Sequence, residues 1–135
     1  MAAKRMHAIS DEAVLRRARA FCLALPETRE QSSWGHPNFR AGKRTFVTFE
    51  WIKGNPSLAI RLGRNGVRQY AKARGTFLTP YGRGEWLSFK VDGQLNWRLM
   101  QTLIVEGYRA VALKRMLTAL DGPDRAPAYQ RLERP

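Results

Sequence analysis

The chain has 135 residues, with 24 Lys or Arg against 11 Asp or Glu, for a formal net charge of +13 at pH 7. That surplus exceeds what solubility asks for and points to a polyanionic partner, while 44% hydrophobic residues exclude a disordered basic tail and fit one packed domain. No run approaches the roughly 18 to 20 apolar residues of a spanning helix, Asp11 and Glu12 interrupt any secretory pattern, and the single Cys22 has no second thiol, so the expectation is a cytoplasmic protein without membrane contact.

Ser10 followed by Asp11 and Glu12 marks a helix start, with a hydroxyl for an orphan N–H and two carboxylates for the positive end of the dipole. The helix is predicted to run to about Leu25, before Pro26. It buries Val14, Leu15, Ala18, Phe21, Cys22 and Leu25, keeps Arg16, Arg17 and Arg19 off that face, and staples Ile9 to Val14. From Glu27 to about Val91, alternating segments broken by Gly, Pro and Asn predict strands and turns. Residues 38–40 and 44–51 flank Ala41, Gly42 and Lys43 as a hairpin. Leu58, Ile60 and Leu62, and again Leu87, Phe89 and Val91, give strands one apolar face. Within 44–51, Phe46 opposes Val47, Phe49 and Trp51, which leaves the buried face of that strand open. Gly66 to Arg74 is predicted as a short helix capped by Asn65 and ended by Gly75, with Arg64, Arg68 and Lys72 as an exposed basic stripe. Asn96 caps a long helical region that buries Trp97, Met100, Leu103 and Ile104; Gly107 divides or bends it, and Asp121, Gly122 and Pro123 end it. Residues 124–135 read as a loosely held tail.

The chemistry-bearing residues are few. With two histidines and no grouped carboxylates there is no metal site and no cofactor motif. Ser33 and His36 lack a defined third member for nucleophilic catalysis, so no catalytic residue is assigned; His36, between Gly35 and Pro37, reads first as a structural imidazole beside Trp34 and Phe39, with a phosphate or ligand contact as the next reading. Gly82-Arg83-Gly84 precedes a strand and not a helix, so it reads as a turn exposing Arg83, stiffened by Pro80 and Tyr81, and not as a phosphate-cradling loop. Phe46 and Phe49 read as sheet core, and Trp51, Tyr81 and Trp86 as stacking groups only where exposed.

Four motifs in order, Trp34-Gly35-His36-Pro37-Asn38-Phe39-Arg40, Gly42-Lys43-Arg44-Thr45-Phe46, Thr79-Pro80-Tyr81-Gly82-Arg83-Gly84-Glu85-Trp86 and Tyr108-Arg109-Ala110-Val111-Ala112-Leu113-Lys114-Arg115, resemble the MmcQ/YjbR family over about Val14 to Leu120. The resemblance implies a frataxin-like α+β fold, an antiparallel sheet with N-terminal and C-terminal helices packed on one face. It also implies a DNA-binding role described for the family on the basis of fold and charge. The expectation is therefore a single domain over 1–135, its core at about 10–120 and a loose tail at 121–135. Iron delivery in the manner of frataxins is not expected, because no acidic ridge is present.

The leading expectation is a monomeric, non-catalytic protein that binds nucleic acid, mainly duplex DNA, through phosphate contacts from Arg40, Lys43, Arg44, Arg64, Arg68, Lys72 and Arg83. The alternative is a module or enzyme for a small anionic ligand, with a pocket around Trp34, His36, Lys43 and Tyr81. A third reading is that the charge serves only solubility or reflects a host of high base composition, and that the protein works through a partner protein.

Overall fold

The computed structural model describes residues 2–52, 54–91 and 95–122, with side chains from Glu12 onward. Helix α1 spans Ala2–Leu23, so it starts well before the position assigned to it at Ser10. Ala2, Ala3, Lys4 and Met6 are strong helix formers, and the helix extends upstream through them. The Ile9 staple falls on side chains outside the described residues. Strands β1 (Thr28–Ser33), β2 (His36–Ala41), β3 (Arg44–Ile52), β4 (Asn55–Arg61), β5 (Thr76–Leu78) and β6 (Trp86–Lys90) form one antiparallel sheet in the order β1-β2-β3-β4-β6-β5. Helix α2 (Gly63–Tyr70) joins β4 to β5, and α3 (Trp97–Val111) and α4 (Lys114–Leu120) close the described chain.

One face of the sheet carries Phe39, Val47, Phe49, Leu58, Ile60, Leu87 and Phe89, and it packs with Ala18, Phe21, Cys22 and Leu25 of the α1 region and Met100, Leu103, Ile104 and Tyr108 of α3 in a single core. The ambiguity of β3 is resolved by a β-bulge. Phe39 pairs with Val47 and Arg40 with Thr45, so Phe46 is the extra residue, and it turns into the same core as Val47. Its ring meets Tyr108 edge-on at 5.7 Å, and the Tyr108 hydroxyl donates to Pro26 O at 2.7 Å, pinning α3 to the end of α1. Burial pushes the Tyr108 hydroxyl up to about 12. Burial likewise pushes the Cys22 thiol far above its usual range, so Cys22 is a core residue and not a nucleophile.

Helix α3 runs unbroken from Trp97 to Val111 and is not divided at Gly107. A Cβ there would stand 2.9 Å from Arg61 O and 3.3 Å from Ile60 Cγ2, so the glycine is what allows the helix to lie directly on β4. The break between α3 and α4 comes instead at Ala112 and Leu113, both extended, where Leu113 turns to pack over Gly42. Helix α2 also starts earlier than expected, at Gly63 after Leu62, and ends at Tyr70, so Asn65 lies inside it and Lys72 in the turn beyond it. Among the described residues no helix is long and apolar enough to cross a membrane. The tail expected after 121 lies, from 123 on, outside the described residues.

Candidate functional site

The face of the sheet turned away from the helices is not bare. Residues 79–85 cross it, anchored at one point by Thr79 Oγ1 and Ser88 Oγ, 2.7 Å apart, and at another by the Tyr81 hydroxyl, which donates to the Glu50 carboxylate. Under this loop lies a cleft of about 440 Å³. Its floor is Asn38 of β2 and Thr45, Thr48 and Glu50 of β3; its walls are Tyr81, Trp86, Ser33, His36 and Trp34. Thr48 and Glu50 are 7% and 8% exposed although they sit on the face without helices. Burial first, and then the bond to Glu50 and its charge, holds the Tyr81 hydroxyl well above the usual tyrosine range, so it remains a donor.

The loop is shaped by Gly82, at φ +82°, where a Cβ would collide with the Trp86 ring at 2.3 Å. At the other end of the cleft, Trp34 and Gly35 form the two-residue turn of the β1–β2 hairpin, both with positive φ, as a primed turn requires. Trp34 adopts φ 55° and is 94% exposed. Ser33 and His36 are direct register partners across this hairpin, and His36 Nδ1 is buried without a hydrogen-bond partner among the described residues. Among the described residues Glu50 is the only carboxylate lining the cleft, and no lysine or arginine lines it.

The second feature is electrostatic. In this antiparallel order β2 and β4 finish, and β1, β3 and β6 begin, at the same end of the sheet. Arg29, Arg40, Lys43, Arg44, Arg61 and Arg64 therefore gather there. Leu62 N and Gly63 N both donate to Glu85 O, which brings the Gly82-Arg83-Gly84 turn to that end, and Leu113 on Gly42 brings Lys114 and Arg115. Two carboxylates at this end are each held by an arginine: Glu27 by Arg115 at 2.7 Å and Glu85 by Arg61 at 3.0 Å. Arg29, Arg40, Lys43, Arg44, Arg64, Arg83 and Lys114 form no ion pair among the described residues. Arg40 is oriented by Gln31 Oε1 and Lys43 O, each at 2.8 Å, and Arg83 stands exposed at φ 56°.

Of the seven expected phosphate contacts, Arg40, Lys43, Arg44, Arg64 and Arg83 thus share one end of the sheet. Arg68 lies one turn further along α2, bonded to Asn65 Oδ1. Lys72 approaches the opposite end, where Lys90 N donates to Gly75 O, so Arg64, Arg68 and Lys72 do not form the straight stripe expected of them. Of the expected pocket residues, Trp34, His36 and Tyr81 line the cleft. Lys43 does not: it sits in the turn at the basic end, and the charge inside the cleft is negative. Reading the sequence missed Glu50, Asn38 and Thr48 as cleft residues and Arg29 and Lys114 as members of the basic end. Glu50 carried one signal, an acid within a strand otherwise rich in Phe, Val and Trp.

A YjbR family model matches residues 23–110, which is more than half of the chain. The chain belongs to the YjbR family. In this YjbR chain the match takes in the whole sheet, the cleft and the basic end except Lys114 and Arg115. Two solved structures are similar in fold. One is a Deinococcus radiodurans protein with a DUF419 domain, 15% identical, TM-score 0.58, covering 87% of this chain and 86% of that one. The other is a protein from Pseudomonas syringae, 13% identical, TM-score 0.56, covering 62% of this chain and 86% of that one. No curated protein matches the chain.

Proposed function

We propose that this YjbR protein binds nucleic acid, duplex DNA foremost, through phosphate contacts at the basic end of its sheet, as a cytoplasmic monomer and without chemistry on the bound strand. One observation supports this reading above the others: Arg40, Lys43, Arg44, Arg64 and Arg83 meet at one end, where Glu27 and Glu85 are already paired with Arg115 and Arg61. Each guanidinium or ammonium that engages a phosphate displaces a condensed counterion, so the mode is strong at low salt and tolerant of sequence. Phosphate contacts position a protein on DNA and carry no base information, and Arg83, on a stiff turn, is the side chain best presented to a groove edge. The domain is read as frataxin-like, which the order of helix, antiparallel sheet and helices on one shared face supports.

Charge reversal separates this surface from a general effect of net charge. The pair K43E and R44E, and R83E by itself, are expected to weaken binding to an unrelated duplex by about tenfold or more. R98E, at the start of α3 and the opposite end of the molecule, is expected to change it far less. Equal losses in both sets would contradict a localised surface.

The cleft supports a second reading, a small-ligand site around Trp34, His36 and Tyr81. Its floor favours a ligand of different charge from the anion first expected.

A further inference from the structure

We propose that the cleft on the open face of the sheet binds a small organic cation, an ammonium or guanidinium on an apolar or aromatic frame, seated between Trp34 and Trp86 and paired with Glu50. The proposal stands independently of the nucleic-acid binding proposed for the basic end, whose lysine and arginines do not line the cleft.

Glu27, Glu30, Glu85 and Asp121 each have an arginine partner, as expected in a chain carrying +13. Glu50, the most buried of them at 8% exposure, has none among the described residues; its carboxylate receives the Tyr81 hydroxyl. A carboxylate withdrawn from water without a cation is costly, and a molecule so rich in arginine has cations to spare. The fold keeps them out: Arg40, on the same face, is drawn away toward the β2–β3 turn by Gln31 and Lys43 O.

Trp34 supplies the second, independent observation. An aromatic side chain held in the left-handed region costs roughly 1–2 kcal/mol relative to ordinary backbone, and burial offsets none of it here because the ring is 94% exposed. Strain at an exposed residue on the rim of a cleft marks a binding position. Two indoles and a phenol around a single carboxylate attract a cation through the ring faces as well as through the charge. The volume, about 440 Å³, suits a molecule of metabolite size. No three metal-ligating side chains meet among the described residues, so the donor set favours an organic cation over a metal ion.

Tryptophan fluorescence and titration calorimetry with phenethylammonium, and with phenylacetate as its anionic counterpart, test the assignment. Phenethylammonium is expected to bind saturably with Kd of about 1 mM or tighter, and phenylacetate at least about tenfold more weakly. E50Q should lose roughly tenfold in ammonium affinity, and W34A, whose side chain supports nothing in the fold, about threefold. Phenylacetate binding as tightly as phenethylammonium, no saturation by about 10 mM, or ammonium binding unaltered in W34A would each overturn the proposal. The first and third of these contrasts hold even if E50Q fails to fold.

Discussion

The Tyr81 hydroxyl donates to the Glu50 carboxylate, 31 positions away in sequence, and this bond ties the loop before β6 across the open face of the sheet. A bond to an ionised acceptor is worth about 1.5–3 kcal/mol. Tyr81→Phe is therefore expected to lower the urea midpoint by that equivalent at unchanged slope, since the compact core is untouched. Equilibrium unfolding checks it; an unchanged midpoint would show that the loop is held by Thr79 and Trp86 packing.

Gly107→Ala places a methyl 2.9 Å from Arg61 O, where no flexible side chain can move aside. Helix α3 must lift from β4, at a cost of about 1–3 kcal/mol. A drop in melting temperature of roughly 3 to 10 °C is expected by calorimetry, whereas Gly107→Ala would be mildly stabilising if the position were an ordinary helix interior.

Trp34→Asn is expected to act in the opposite direction on stability. Asn tolerates the left-handed region that the first residue of this turn occupies at φ 55°, so the variant should gain up to about 1 kcal/mol. Chemical denaturation measures this. A residue that destabilises its own turn while lining a cleft is one whose side chain serves the site.

Stability should fall at alkaline pH. The Tyr108 hydroxyl is pushed up to about 12 in the folded state, against about 10 for an unperturbed tyrosine. Below pH 10 both states are protonated and the contribution is complete. Between about pH 10 and 12 the unfolded chain releases its proton first, so folding loses free energy as pH rises. Melting temperatures across that window should decline, and the decline should be shallower in Tyr108→Phe, which is itself less stable because Pro26 O loses its donor.

The fold was legible where periodicity is strong and local. The faces of α1 and α3, the Leu58 and Leu87 strands and the hairpin at Gly42 are written in side chains two, three or four apart. What escaped depends on contacts between distant segments. Gly107 reads as a helix breaker until Arg61 O is seen beneath it. The choice between the faces of β3 turns on a bulge opposite Phe39 and Arg40, which no alternation rule encodes. Glu50 became a cleft residue only because the loop carrying Tyr81 folds over it. The surplus of basic residues is visible in composition, but the meeting of five of the seven at one end follows from strand order, and Arg29 and Lys114 join them through the same topology.

The central claim is that the basic end engages phosphates, and the salt dependence of DNA binding tests it most directly. Fluorescence anisotropy with an unrelated duplex, titrated at several salt concentrations, should give log K falling linearly with log salt. With about five phosphates engaged, affinity should drop by roughly two to three decades between 50 and 200 mM, and the slope should shrink in the K43E and R44E pair. Binding that is absent at the lowest salt, or flat across the range, would contradict the account.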